Sequence, residues 1–434
     1  MALKRRRTFS IESIAWAEFI LRSNPLISRA MALTYRYVLV DEFQDTTHSQ
    51  YDFLQTLLGV LQGQVTVVGD NKQRIMAWAG AKPDSFKHFM KDFDAKQFDL
   101  LLNHRSSPGL VKIHHTMALS LDPEYKPAQS KVKQKIDKDI AEIWNFQRAT
   151  SEFSFLAHWI KKDMKDRNLS ASDYAVLVRQ KADDTHASLS KEFLDRGLLI
   201  CNETQRFGKF SLQDIVADEL FVFIASLFRV SIQHGARDAW TNASDCMGYF
   251  FPADVEESKP KRRNLLDRLV ERKIQPQLKT FESAEEKIGK CVSAILKAVG
   301  EDTMRGTFPQ HYSANNFQTF LEATSEYLVF CAEQATSWSD FIDRVDRVGQ
   351  VPLMTVHKSK GLEYDTVIFM GLDDSAWWSY SSANPEGKAT FFVGLSRAKQ
   401  RVVFTYARGS GGRTKISELY KLLAAAGVPE KVIT

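Results

Sequence analysis

The sequence is short of cysteine: Cys201, Cys246, Cys291 and Cys331 are the only four in 434 residues, far apart and with no CxxC pair. That spacing excludes a disulfide framework and a cysteine-built zinc site, and it fits a reducing, cytoplasmic setting. Long hydrophobic runs are missing too. The longest, Leu220 to Phe228, is about half of the ~20 residues that cross a bilayer, so no membrane segment is expected. The basic cluster Lys4-Arg5-Arg6-Arg7 has no apolar stretch after it, which excludes a secretory signal; it reads as a solvated terminus. Neither sign of charge dominates: 58 Lys and Arg face 53 Asp and Glu, a net +5. This mild excess is compatible with a nucleic-acid partner and does not require one. No internal repeat occurs.

What remains is an ordinary globular composition, 44% hydrophobic and 26% charged, in a chain long enough for two to four domains. The most informative stretch is Tyr37-Val38-Leu39-Val40-Asp41-Glu42-Phe43-Gln44-Asp45. Tyr37 to Val40 suit a strand buried on both faces. In a parallel sheet such a strand puts Asp41 and Glu42 at its carboxyl edge, where open α/β sheets bind ligands. Two adjacent acids there can divide the work of nucleoside-triphosphate hydrolysis. One holds a divalent metal, and the other orients and deprotonates a water. On composition alone a strand followed by an acidic turn explains the same residues, so the rest of the chain decides.

Residues 8–35 carry a helical apolar stripe (Ile11, Ile14, Ala15, Phe19, Ile20, Leu21) broken at Asn24-Pro25. Ser49 to Leu61 is helical, and Val65 to Asp70 is a second strand ending in a carboxylate. Strand, helix and strand at this spacing suggest a βαβ unit and a parallel sheet. Asn71 to Ala81 is a polar loop entering a short helix, with Trp78 either a core residue or a base-stacking platform. The stretch Leu100 to Pro108 reads as a short strand and then a helix starting near Pro108, and Asp122 to Asp139 reads as a Lys-rich loop. Tyr174 to Arg179 is a buried strand, a helix spans 187–196, and Leu198 to Cys201 is a short strand. From about Phe210 to Val345 the pattern turns helical. Its basic stretch, Lys259-Pro260-Lys261-Arg262-Arg263, reads either as a backbone-binding patch or as a solvated loop. Strands return at Pro352–Val356 and Thr366–Met370, followed by helix Lys388–Lys399, strand Arg401–Tyr406 and a last helix over 416–426.

Five stretches, in order, resemble the motifs of one family. Leu39 to Asp45 is similar to helicase motif II. Val68-Gly69-Asp70 through Gln73, with Trp78, Gly80 and Ala81, is similar to motif III. Leu102 to Ser106 is similar to motif IV, Thr355 to Tyr364 to motif V, and Val393 to Lys399 to motif VI. Together they make the chain resemble the UvrD/Rep/PcrA group of superfamily 1 DNA helicases. The resemblance implies an α/β fold of two RecA-like parallel-sheet domains, the first incomplete, with an inserted helical subdomain. Residues 1–97 would be the partial first RecA-like domain (1A) with the end of 1B. Residues 98–209 and 346–434 would form the second (2A), and 210–345 the helical insertion (2B-like). ATP and Mg2+ are the implied cofactors, with Asp41 holding the metal and Glu42 aligning the water. Gln73 would sense the γ-phosphate, Arg105 and Arg397 would act as arginine fingers, and Gly361 and Glu363 would lie at the nucleotide, Glu363 on its ribose. Planar guanidiniums suit a phosphoryl group whose charge spreads over several oxygens. Trp78, His357 and Lys358 would contact single-stranded DNA. The group translocates 3′ to 5′, and the compact length resembles the small UvrD-like helicases of anti-phage systems such as Gabija, which act with a nuclease partner.

Two departures qualify that picture. No GxxxxGK[ST] loop precedes Asp41, and Gly409-Ser410-Gly411-Gly412-Arg413-Thr414-Lys415 has its Lys misplaced, so it reads as a connecting loop. The phosphate cradle is therefore expected upstream in a longer protein or in a separate chain, an N-terminal helicase half. A first sheet lacking strands should expose an edge or an apolar face. The second departure is Ala79, where the family has an Arg that helps link γ-phosphate to DNA. A non-hydrolysing DNA-binding or docking subunit is the competing expectation.

Overall fold

The computed structural model describes residues 11–60, 63–233, 235–252 and 258–433. The Lys4–Arg7 cluster lies outside them, as do Leu61 at the end of the first expected βαβ helix and the side chain of Lys259. Two compact units emerge, one of residues 8–169, 173–182 and 354–434, the other of residues 170–172 and 183–353.

The larger unit begins with strands β1 (Tyr37–Val40) and β2 (Gln64–Val67), joined by the helix His48–Val60 and paired in parallel, Tyr37 opposite Gln64 and Val40 opposite Val67. The expected βαβ unit is there, but β1 is not buried on both faces. Tyr37 and Leu39 are 77% and 78% exposed. The reason is the sheet itself, which among the described residues has only these two strands. One face packs Val40, Val65 and Val67 against Phe43, Tyr51, Leu54, Leu58 and Phe89, while alternate side chains point to solvent. Exposed Trp16, Phe19, Leu26 and Leu33 lie on the two preceding helices, Ile11–Ser23 and Pro25–Thr34. Apolar side chains are thus exposed both on one face of this two-stranded sheet and on the helices before it.

Next come β3 (Leu102–Asn103), β4 (Gln129–Ser130), β5 (Ala141–Phe146) and β6 (Tyr174–Val178). The stretch Asp122–Asp139 is thus not wholly a loop. Gln129 and Ser130 pair with Leu102 and Asn103 through backbone bonds alone, which leaves no periodic trace in the sequence. The smaller unit carries β7 (Leu199–Asn202), β8 (Arg206–Phe207), β9 (Phe210–Ser211) and the start of β10 (Gln350–Thr355), which pairs in parallel with β7. The chain closes with β11 (Tyr364–Phe369), β12 (Ala398–Ala407) and β13 (Glu430–Ile433).

In the larger unit the order is β13-β5-β12-β11-β6, then the end of β10. Strands β6 and β11 are buried along their whole length, as continuous apolar runs in a covered parallel sheet should be. Asp365, within β11, is tolerated because Arg167 meets it at 2.6 Å, part of a network with Asp163, Arg401 and the Tyr174 hydroxyl. The helix expected over Lys388–Lys399 is Pro385–Leu395, and β12 begins at Ala398. At the C-terminal end of that helix the Ser396 hydroxyl donates back to the Val393 carbonyl. Sequence reading also missed β5, β13 and the helices Ser85–Phe93 and Ala149–Arg167.

The smaller unit is mostly helical around a Phe-rich core that includes Phe223, Phe228, Phe317, Phe320 and Phe341. Its basic stretch is the start of a helix, Ser258–Leu269, and not a loop. Pro260 sits in the first turn, where proline is tolerated, and Leu266 and Leu269 anchor the helix in the core. The four cysteines are buried and free. Among the described residues no helix is long and apolar enough to cross a membrane.

Glu152 is nearly fully buried in the larger unit. Burial pushes its carboxyl up to about 7, with a hydrogen bond to Thr405 opposing and Asp373 reinforcing the shift. The folded protein thus binds this proton more tightly than the unfolded chain. Stability from Glu152 is full below about pH 4.5 and is lost as pH rises toward 7, by on the order of 3 kcal/mol. In thermal melts between pH 4.5 and 8, Glu152→Gln should flatten this part of the curve; an unchanged profile contradicts the assignment.

Candidate nucleotide and nucleic-acid site

The site lies within the larger unit and is built from strand ends. Immediately after β1, Glu42 takes a left-handed conformation (φ 53°), an uncommon one for a non-glycine residue. The next residues form a short turn, Phe43–Asp45, with Phe43 and Gln44 buried. Gln44 ties the turn to the following strand: its Nε2 donates to Glu42 Oε2 (2.6 Å) and its Oε1 accepts from Asp70 N (2.9 Å). This crossing needs Gly69, where a Cβ would lie 2.1 Å from Gln44 Oε1 and 2.9 Å from Phe43 N.

Asp70 then organises its own turn. Its carboxylate accepts from Lys72 N (3.0 Å), Lys72 Nζ (2.6 Å) and Gln73 Nε2 (3.2 Å). Gln73 Oε1 accepts from Arg397 Nη2 at 2.9 Å, between residues 324 positions apart. Arg397 is held from behind by the Val393 carbonyl (3.0 Å) and the Ser396 hydroxyl (2.7 Å). Burial, with nearby Arg105, pushes Arg397 down to about 10, so it remains cationic at neutral pH.

Lys360 brings another segment to the same place. It leaves β10 on the turn His357–Gly361, which closes at Gly361 with φ 84°. Its Nζ lies 3.1 Å from Glu42 Oε2 and also pairs with Asp45 Oδ2. Burial acts to raise the Glu42 pKa, but Lys360, Gln44 and Arg397 outweigh it and hold the carboxyl below its ordinary range. For Asp45 burial wins, and its pKa stands above the usual value despite Lys360. Asp45 Oδ1 is buried without a hydrogen bond among the described residues.

Arg105 and Glu363 meet each other: Arg105 Nε donates to Glu363 Oε2 at 2.8 Å, and Lys399 takes the other carboxylate oxygen at 2.9 Å. These ion pairs hold Glu363 below the usual carboxylate range. Arg105 Nη1 also reaches the Ser396 carbonyl (3.3 Å), beside Arg397. Asp41 stays at the rim, exposed, its Oδ1 accepting from Glu42 N at 2.9 Å. No hydrogen bond or ion pair among the described residues joins it to Gln73, Arg105 or Arg397. Trp78 stands on the turn Ala77–Ala79, 71% exposed, and is not core. His357 and Lys358 follow β10 half-buried; burial and nearby Arg179 lower the His357 pKa.

Glu42, Gln73, Arg105, Glu363 and Arg397, with Gly361 on the turn, are therefore carried by one continuous set of contacts. Sequence reasoning gave no role to Gln44, Asp45, Lys360 or Lys399, although each lies inside a quoted motif. The Gly409–Lys415 loop is a connection: Asp374 accepts from Thr414 N and Ile416 N, so those amides are not open to a phosphate.

Adjacent acids, a glutamine and two arginines at the edges of parallel sheets define a RecA-like helicase-type protein. Comparison with known proteins makes this more specific. The UvrD/REP helicase N-terminal domain matches residues 2–94, and the UvrD-like helicase C-terminal domain matches residues 258–409. The ATP-dependent DNA helicase Rep of Buchnera aphidicola is 23% identical over 440 residues, covering 90% of this chain and 64% of that protein. DNA helicase II of Haemophilus influenzae is 23% identical over 442 residues, covering 91% of this chain and 59% of that protein. UvrD1 of Mycobacterium bovis is 23% identical over 475 residues, covering 95% and 60%. The chain belongs to the UvrD/Rep-like family of superfamily 1 helicases, and it spans 59% to 64% of the length of these three relatives.

Lys360→Met should leave Glu42 and Asp45 without their cation and lower stability by roughly 1–3 kcal/mol at pH 7. Because Glu42 is held low, its share of stability is present above its unfolded pKa and is lost as pH falls. The gap between variant and wild type in denaturant melts should therefore shrink toward pH 4. A gap independent of pH contradicts this.

Proposed function

We propose that this chain acts as an ATP-dependent translocase of the UvrD type on single-stranded DNA, moving 3′ to 5′ in the cytoplasm. In this proposal residues 1–97 form part of a first RecA-like domain, 98–209 and 346–434 the second, and 210–345 a helical insertion. A phosphate-binding loop comes from further sequence or from a partner chain, either an N-terminal helicase half or a protein of a nuclease complex. The Gln73–Arg397 hydrogen bond carries the proposal, because it joins a γ-phosphate sensor to an arginine finger across 324 positions of sequence.

Each role follows from chemistry. Asp41 offers an exposed carboxylate, and no cluster of three or more metal-ligating side chains exists among the described residues. That donor set fits Mg2+, which is commonly held by one or two carboxylates together with phosphate oxygens. When bound, the metal would neutralise developing charge on the phosphates. Glu42 orients water and takes its proton at a carboxylate oxygen. Lys360 competes for that same Oε2, so releasing Lys360 frees the base. Arg397 and Arg105 donate to the charged phosphoryl oxygens, Arg105 after exchanging its bond to Glu363. Gly361 and Glu363 border the nucleotide, while Trp78, His357 and Lys358 contact DNA.

Ala79 favours a second proposal, a non-hydrolysing DNA-docking subunit, since the site lacks the arginine that would tie DNA to the γ-phosphate. ATPase measurements on the complete assembly separate the two. DNA-stimulated turnover should fall at least ~100-fold in Glu42→Gln while nucleotide binding persists. Turnover that survives the change contradicts the mechanism, and absence of Mg2+-dependent ATP binding in the wild type favours the docking subunit.

A further inference from the structure

Arg397 follows the helix Pro385–Leu395 on a turn whose carbonyls all have donors. The Phe392 carbonyl accepts from Ser396 N (2.9 Å), that of Val393 from Arg397 Nε (3.0 Å) and that of Gly394 from Arg397 N (3.2 Å). Beyond the helix, the Ser396 carbonyl accepts from Arg105 Nη1 (3.3 Å) and that of Arg397 from Tyr364 N (2.9 Å). The Ala398 carbonyl accepts from the Ser106 hydroxyl (2.7 Å) and that of Lys399 from Ser107 N (2.8 Å). The last carbonyls of a helix have no partner within it, so a buried helix end needs donors from outside. In this run the Leu395 carbonyl is served by a residue with no role so far, His114.

His114 lies in the helix Pro108–Leu119, which also supplies Leu110, Ile113 and Met117 to the core. Its ring meets Phe392 edge-on, 6.2 Å between centroids. Its Nε2 is buried without a hydrogen bond among the described residues, so the bond to the Leu395 carbonyl comes from Nδ1. A carbonyl only accepts, which assigns the imidazole proton to Nδ1. Burial pushes the imidazole down to about 4; the Leu395 bond opposes the shift, and Arg397 and Arg105 add to it. The ring is therefore neutral at pH 7 and adds no third positive charge beside the two guanidiniums. Packing alone does not account for a histidine here, because a leucine would fill the space without leaving a buried nitrogen unpaired. What histidine adds is the N–H.

We propose that His114 is a positioning residue for Arg397: its Nδ1–H holds the Leu395 carbonyl, fixes the last turn of the helix and so aims the Arg397 guanidinium. The lever is short. Leu395 stands two residues before Arg397, and the Val393 carbonyl and Ser396 hydroxyl that hold the guanidinium belong to the same turn. Leu395 is fully buried, so without His114 its carbonyl would lack both a donor and water, and the turn would have to shift to satisfy it. The catalytic consequence deepens the function proposed above, in which Arg397 donates to a phosphoryl group, and rests on it; the positioning does not.

Three variants separate this role from packing. Asparagine carries its amide nitrogen where histidine has Nδ1, glutamine where histidine has Nε2, and leucine keeps the core filled but has no donor. In nuclear magnetic resonance spectra of the 434-residue chain, the Nε–H signal of Arg397, assigned with Arg397→Lys, reports the turn. It should shift in His114→Leu and His114→Gln and return toward the wild-type position in His114→Asn. In the complete assembly, kcat for DNA-stimulated ATP hydrolysis should fall roughly 10-fold in His114→Leu and His114→Gln and recover to within about threefold in His114→Asn. Mg2+-dependent ATP affinity should stay within about twofold throughout. An unmoved Arg397 signal in His114→Leu overturns the proposal, as does His114→Asn behaving no better than His114→Gln. A shifted signal with wild-type kcat overturns the catalytic consequence. If the wild-type assembly hydrolyses no ATP, the function proposed above falls, and the Arg397 signal alone decides the positioning.

Discussion

Lys360 holds the candidate site together. One ammonium, largely shielded from solvent, meets Glu42 and Asp45 on the far side of the sequence. These contacts bring the turn after β10 against the turn after β1. They set the Glu42 carboxyl low, and they occupy the oxygen that a catalytic base would offer to water. Asp45 pays no comparable dividend: its burial keeps its pKa high, and one of its oxygens has no partner. A buried acid in that condition is tolerable only while its cation stays in place.

The remaining contacts repeat this pattern. Gln44 spans from Glu42 to the backbone of Asp70, Asp70 shapes the turn that aims Gln73, and Gln73 meets Arg397. Arg105 and Lys399 share Glu363. Acids and cations thus neutralise one another in pairs, and a polyanionic ligand would have to exchange these pairs for its own. Such exchange is a physical route by which ligand binding could bias the positions of the segments that carry the charges.

Much of this was legible in the sequence. Asp41, Glu42, Gln73, Arg105, Glu363 and Arg397 lie in motifs whose order alone points to one family, and β6 and β11 were visible as apolar runs. Other features were not. Strand β1 has the composition of a doubly buried strand, and composition does not report how many neighbours a sheet has. Strand β4 is two residues long and is held by backbone pairing to β3, so its side chains carry no periodic signal. Lys360 was passed over because its meaning lies in a contact with residues more than 300 positions away.

A double-mutant cycle between Lys360→Met and Asp45→Asn, read by denaturant unfolding at pH 7, tests most directly whether this ion cluster joins the two segments. If it does, the two changes should be non-additive by about 1 kcal/mol or more. Strictly additive effects would show that Lys360 and Asp45 act independently and would contradict it.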